Sequence, residues 1–260
     1  MTVTNSVISG NSVFDRKLAG FGGGISCTNG GTLTLNNSTI SGNSATGTGG
    51  GILNDTGMTT VTNSTISGNS GGLSGGGIIN GGTLTLNNST ISGNSATVDG
   101  GGIWNDAGML TVTNGTVSGN GAVSGGGFMF TGGFETMGDT VLNAGASGGT
   151  ITNNGGTVTS IGYNLASDNG GGVLTGPGDQ INTDPMLGPL QCNGGPTFTH
   201  ALLPGSPAID AGDPNFTPPP LYDQRGPRFN RVVNGRIDIG SFEVQASPTP
   251  RPRPTPHPRP

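Results

Sequence analysis

A motif of about 25 residues recurs along the first half of the chain, and its recurrence constrains the fold before any single residue is interpreted. One copy, GGGIINGGTLTLNNSTISGNSATVD, starts at Gly75. The copy before it reads GGGILNDTGMTTVTNSTISGNS from Gly49, and the copy after it reads GGGIWNDAGMLTVTNGTVSGN from Gly100. The apolar residue after each glycine triplet falls at Ile25, Ile52, Ile78, Ile103 and Phe128, at intervals of 27, 26, 25 and 25. The Ser-Gly-Asn triplets end at Asn11, Asn43, Asn69, Asn94 and Asn120, at intervals of 32, 26, 25 and 26. Two markers that drift together are a structural period, not a composition bias. The long first interval predicts a loop at Phe14-Asp15-Arg16-Lys17-Leu18.

Each period holds three short segments, GGGI-x-N, TLTL-N and STIS, in which apolar residues alternate with polar ones. Period-two alternation between Gly and Asn breaks is a strand signal. No segment between Met1 and Ser160 carries a 3.6-residue apolar spacing, and Gly, Thr, Ser and Asn are poor helix formers. The predicted fold is all-β: a right-handed single-stranded parallel β-helix with three short strands per coil of about 25–26 residues. The boundaries read as a β-helix over 1–182, a capping segment over 183–245 packed over the last coil or along one flank, and a disordered Pro/Arg-rich linker over 246–260. Two or three less regular coils are expected before Thr175, with strands at Asp139–Leu142, Gly149–Thr152, Thr157–Ile161 and Gly172–Leu174.

The register separates inside from outside. Leu35, Val61, Leu86 and Val112 form one inward column; Ile8, Ile40, Ile66, Ile91 and Val117 form another. Thr34, Thr60, Thr85 and Thr111 point outward, as do Thr39, Thr65, Thr90 and Thr116. Asn37, Asn63, Asn88 and Asn114 are read as corner residues hydrogen-bonded from coil to coil. The residues after the inward Ile, namely Leu53, Ile79, Trp104 and Met129, form an outward apolar stripe. Such a stripe is a contact surface, or is covered by 183–245, or belongs to the core if the register reverses there.

Charge excludes some roles. Residues 1–200 hold only Arg16 and Lys17 against nine acids, which argues against a surface that tracks nucleic-acid phosphates. Cys27 and Cys192 are too few for a disulfide framework, and Cys27 reads as a small buried apolar residue. No signal peptide or membrane-spanning run is visible. Met1 aligns with Leu33 inside a strand, so an N-terminus shortened together with an export signal is expected.

Lyases and hydrolases built on solenoids need clustered acids, and those of the regular coils are sparse. Asp55 and Asp106 share a column but stand two coils apart, about 10 Å at twice the strand spacing. Asp99 has no basic partner in its coil, and His200 and His257 lie outside the repeats. Glu135 and Asp139 are the acids best placed for chemistry, Asp210 and Asp213 for a cation. Asp223, Arg225, Arg228 and Asp238 read as ion-paired fasteners. No cofactor, metal or catalytic residue is assigned.

SIGYNL at Ser160, TDPMLGPLQCNGGPTFTHALLPGSPAIDAGDP from Thr183, DQRGPRF from Asp223 and GRIDIGSFE from Gly235 together resemble the closing segment of bacterial β-helix proteins of the choice-of-anchor Q type. The GGGI and ISGN repeats are similar to the GGAI and FxxN repeats of polymorphic outer-membrane proteins, with Gly in place of Ala and Ile-Ser-Gly-Asn in place of the Phe motif. The resemblance implies an exported protein of the cell surface, anchored beyond its β-helix. With the spacer-like tail SPTPRPRPTPHPRP, it leads to the expectation of a non-enzymatic adhesin or stalk. Such a protein is expected to be a monomer that meets a glycan or another cell, without nucleic acid or a direct membrane span. A polysaccharide lyase or hydrolase, and an ice-binding protein using the Thr34, Thr60, Thr85 and Thr111 face, stay open as alternatives.

Overall fold

Alternation every second residue, broken by Gly and Asn at fixed intervals, builds the chain into stacked coils. In the computed structural model, residues 1–15 and 20–246 are described. Arg16, Lys17 and Leu18 of the expected first loop, and the tail from Ser247, lie outside the described residues. No α-helix occurs among the described residues; the one helical turn is a 3-10 turn at Gly170–Gly172.

Three long parallel sheets run the length of the rod. The Thr-Leu sheet contains seven strands, among them Thr32–Asn36, Met58–Thr62, Thr83–Asn87, Met109–Thr113 and Phe134–Gly138. The Ser-Ile sheet also has seven, including Thr39–Ser41, Thr65–Ser67 and Thr90–Ser92. The Gly-Ile sheet has six, including Ile52–Asn54, Ile78–Asn80 and Ile103–Asn105. A fourth, four-stranded sheet of two-residue strands, such as Ser44–Ala45 and Ser70–Gly71, adds to the three strands expected per coil.

The core columns stack like on like: Ile66 sits between Ile40 and Ile91, and Leu86 between Val61 and Val112. These side chains fill a narrow bore, with Ile40, Ile66, Ile78, Leu84 and Ile103 essentially inaccessible to water. Each such side chain contributes about 1.5–3 kcal/mol by burial. Cys27 is buried among them, as expected. Ile52, Ile78 and Ile103 are core, so the register does not reverse in the Gly-Ile sheet.

The glycine triplets follow from close packing. A Cβ on Gly76 would lie 2.2 Å from the Ser95 carbonyl oxygen and 2.5 Å from that of Gly101. One on Gly77 would lie 2.5 Å from the Gly102 carbonyl oxygen and 3.1 Å from the Asn94 side chain. Gly75 has φ +63° and carries Ile79 directly against it. The corners following the Thr-Leu strands also need left-handed backbone, and Asn37, Asn63, Asn88 and Asn114 supply it at φ near 50°.

The expected coil-to-coil Asn ladders exist, but mainly at other positions. Of the corner column, Asn88 donates to Asn63 at 2.7 Å. The continuous ladder runs through Asn11, Asn43, Asn69, Asn94 and Asn120, with side-chain bonds of 2.9–3.0 Å. A second ladder runs Asn54 to Asn80 to Asn105, at 2.6 Å per step, and ends on Glu135 at 2.7 Å. Inward-facing amides have no water to bond, so they bond one another.

Past Phe128 two less regular coils follow, with strands at Val141–Asn143, Ile151–Asn153 and Thr157–Gly162. Gly172–Leu174 is not a strand: Gly170, Gly171 and Gly172 all have positive φ, which extended pairing does not accept. Leu174 instead joins the end of the core cluster.

Residues 183–245 lie along a flank, on the outer face of the Ser-Ile sheet. A short antiparallel pair, Leu187–Gln191 with Thr199–Leu202, leads the segment. Thr65 donates to the Phe198 carbonyl at 2.6 Å, Thr90 to Gln224 at 2.6 Å, and the Ser241 amide donates to Thr116 at 3.0 Å. Val141 and Leu165 form an apolar cluster with Leu202, Ala208, Ile239 and Phe242.

Candidate functional site

The outer face of the Thr-Leu sheet is flat, periodic and uncharged. Its central column is threonine in all seven rungs: Thr2, Thr34, Thr60, Thr85, Thr111, Thr136 and Thr159. Strand spacing sets these hydroxyls ~4.8 Å apart. Thr34, Thr60, Thr85 and Thr111 are half-buried, between buried residues on either side in each strand. On one side the column is flanked by Thr32, Met58, Thr83, Met109 and Phe134, and on the other by Asn36, Thr62, Asn87 and Thr113. Met58, Met109 and Phe134 are more than half exposed, so apolar contact area lines that edge. The segment 183–245 occupies a different sheet and leaves this face open.

The apolar stripe of the Gly-Ile sheet is less open than expected. Leu53, Ile79 and Trp104 are half-buried and Met129 is buried. These side chains lie back over the left-handed glycines: a Cβ on Gly49 would come within 3.0 Å of Ile79, and one on Gly125 within 2.9 Å of the Met129 backbone. The Trp104 indole donates to Thr131 at 3.0 Å, and Thr131 donates to Asp106 at 3.0 Å. The hydrogen bonds of the C-terminal segment to the coils go mainly to the Ser-Ile sheet and to the corners Asn63, Asn88, Asn114 and Asp139, and among the described residues none reaches the stripe.

The candidate acids are scattered. Glu135 points into the bore, where burial raises its pKa despite the bond from Asn105, and its Oε2 has no partner. Asp139 holds a corner at φ +50° and accepts the Asp213 amide at 2.8 Å. Burial pushes Asp139 up to about 6. Asp55 and Asp106 sit exposed on either side of Gly81, and Asp99 is half-exposed. Asp210 accepts from Asn234 at 3.4 Å, while Asp213 accepts the Asn215 amide at 2.8 Å. Among the described residues no group of three or more His, Cys, Asp or Glu could hold a metal ion.

The fasteners form part of a dense charged knot within the flank segment. Asp223 pairs with Arg225 at 2.5 Å, and the Arg225 guanidinium lies between the Phe229 and Phe242 rings at 3.9 and 3.8 Å. Asp238 accepts the Asp210 and Val244 amides rather than a cation. Arg228 is exposed and joins no ion pair among the described residues; the fully buried arginine there is Arg231, bonded to Asn114 at 2.7 Å and 3.9 Å from Glu243. Its role is hidden in the sequence because Asn114, its partner on the coils, lies 117 residues away. Burial, with Asp238 and Asp223 nearby, pushes Glu243 up to about 8 against the pull of Arg231. Burial lowers the His200 pKa against the opposing bond to Gly188, with Nδ1 2.7 Å from the Gly188 carbonyl and Nε2 2.9 Å from the Ser92 hydroxyl.

No family model, curated protein or solved structure matches the chain.

Proposed function

We propose that this chain is a non-enzymatic, exported surface rod that uses its Thr-lined sheet to hold an extended, uncharged glycan. One observation carries the reading: a seven-rung threonine column on a face that, among the described residues, holds no ionisable side chain. A periodic row of hydroxyls meets a polymer whose own hydroxyls repeat, and neutrality favours a neutral chain over an acidic one. The scattered acids support the non-enzymatic part: Glu135 is sealed in the bore and Asp139 is spent on a backbone bond. The choice-of-anchor Q resemblance of residues 160–245 supports the surface location. Fold alone would not assign either.

The test is depletion of the protein from solution by insoluble cellulose, chitin and xylan, compared with Thr60→Lys/Thr111→Lys. Retention on at least one polymer, lost in the double variant, is the expected result. Equal retention of both proteins, or none of either, overturns the reading. Ice is the second surface that the same column could meet, although Asn36 and Asn87 break the regularity of the neighbouring column. Thermal hysteresis abolished by the same double variant, without polymer binding, selects ice.

A further inference from the structure

The flank segment stops short of the rod's N-terminal rungs, and a groove opens where it stops. Its floor is the outer face of the Ser-Ile sheet at Val7, Thr39, Ser41, Thr65 and Ser67, and its wall is Leu190, Pro196 and Phe198. Its volume is about 540 Å³, within the range of about 300–1,000 Å³ usual for small-ligand pockets. Among the described residues no ionisable side chain lines it.

The wall is fixed before any ligand arrives. Thr65 donates to the Phe198 carbonyl at 2.6 Å, and Gln224 donates to Thr65 at 2.9 Å and to the same carbonyl at 3.2 Å. This anchors the Phe198 backbone to the sheet while its side chain stays about half exposed, at 52%. Across the floor, the hydroxyls of Thr39, Ser41 and Ser67 make no side-chain hydrogen bond among the described residues. An aromatic wall thus faces free hydroxyls at strand spacing, in a lining that is uncharged among the described residues.

We infer that this groove is a second binding site, separate from the Thr-Leu face, for a short neutral oligosaccharide. A sugar ring offers an apolar C–H face to Phe198 and hydroxyls that donate to and accept from Thr39, Ser41 and Ser67. An acidic sugar would bring a carboxylate with no cation to meet it, and desolvating that charge unpaired is costly. The chain's own tail, Ser247–Pro260, carries Arg251, Arg253 and Arg259, for which the groove has no acid.

The experiment titrates the full chain by calorimetry with cellohexaose, xylohexaose, mannohexaose and chitohexaose, with hexagalacturonate and a synthetic Ser247–Pro260 peptide alongside. Phe198→Ala and Thr85→Lys are titrated in parallel. Binding of at least one neutral hexasaccharide is expected, with a component that persists in Thr85→Lys, where the Thr-Leu face is blocked, and is about tenfold weaker in Phe198→Ala. That factor corresponds to ~1.4 kcal/mol, the loss of roughly 50 Å² of apolar contact. Because Phe198 is exposed, its truncation keeps the fold, and an unchanged melting temperature checks this. The inference fails if no neutral hexasaccharide binds, if Phe198→Ala binds as wild type, or if only hexagalacturonate or the peptide binds. Loss of binding in Thr85→Lys alone would move the site to the Thr-Leu face, which sinks this inference and leaves the proposed function standing.

Discussion

Asn69→Ala tests whether the buried amide ladder holds the coils together. The Asn69 side chain is fully buried and makes four hydrogen bonds. Its Oδ1 accepts from the Asn43 amide at 2.9 Å and the Asn43 side chain at 3.0 Å, while its Nδ2 donates to the Ile40 carbonyl at 3.0 Å and to Asn94 at 2.9 Å. Alanine removes all four and leaves the Asn43 backbone N–H without an acceptor in a dry corner. At a net of about 1 kcal/mol per bond, and up to about 3 for the stranded amide, the expected loss is ~4–6 kcal/mol. That is a large part of the roughly 5–15 kcal/mol that holds an ordinary domain folded. Asn36→Ala, on the outer face, is the control and should cost no more than ~0.5 kcal/mol. Urea unfolding followed by far-UV circular dichroism measures both. A loss below ~1 kcal/mol for Asn69→Ala, or equal losses for the two, would refute the ladder's role.

Two other perturbations have defined outcomes. Gly76→Ala places a methyl 2.2 Å from the Ser95 carbonyl oxygen and should cost ~1–3 kcal/mol or more by overpacking, whereas Gly119→Ala has open space and incurs only the left-handed backbone penalty of ~1–2 kcal/mol; thermal melts rank the two. Stability should fall as pH rises from 6.5 to 8.5. Burial lowers the His200 pKa from its ordinary 6.5, so its own contribution to the pH dependence fades as pH rises above that value, while Glu243 rises from an ordinary 4.5 to about 8 on folding and must lose its proton in the upper part of the window. The stability linked to Glu243 is fully present below 4.5 and is lost as pH climbs through about 8, so Glu243→Gln should flatten the slope seen in urea titrations.

The stacking was legible in the sequence because the constraint is local and repeated. Ile40, Ile66 and Ile91 announce one column by their spacing, and the structure places them in one register. The fourth short sheet was missed because Ser44–Ala45 and its equivalents are too short for alternation to register. The amide ladder was assigned to the corner residues Asn37 and Asn63, although the inward Asn43 and Asn69 carry it. Both sets repeat with the same period, and only φ and side-chain direction separate them. The flank segment has no period at all. Arg231 meets Asn114 across 117 residues, and Thr65 meets Phe198 across 133, so neither pairing leaves a local trace. The groove at Phe198 is a product of those distant contacts and was invisible for the same reason.

The stacked threonine face can be measured directly by pulsed electron resonance, with spin labels at Thr34 paired in turn with Thr60, Thr85, Thr111 and Thr136. The register puts these partners one, two, three and four rungs away. Distances should grow by ~4.8 Å per rung, with ~19 Å of rise between Thr34 and Thr136 beyond the constant label length. A series that does not increase linearly with rung number would contradict the stacked register and, with it, the threonine column on which the proposed function rests.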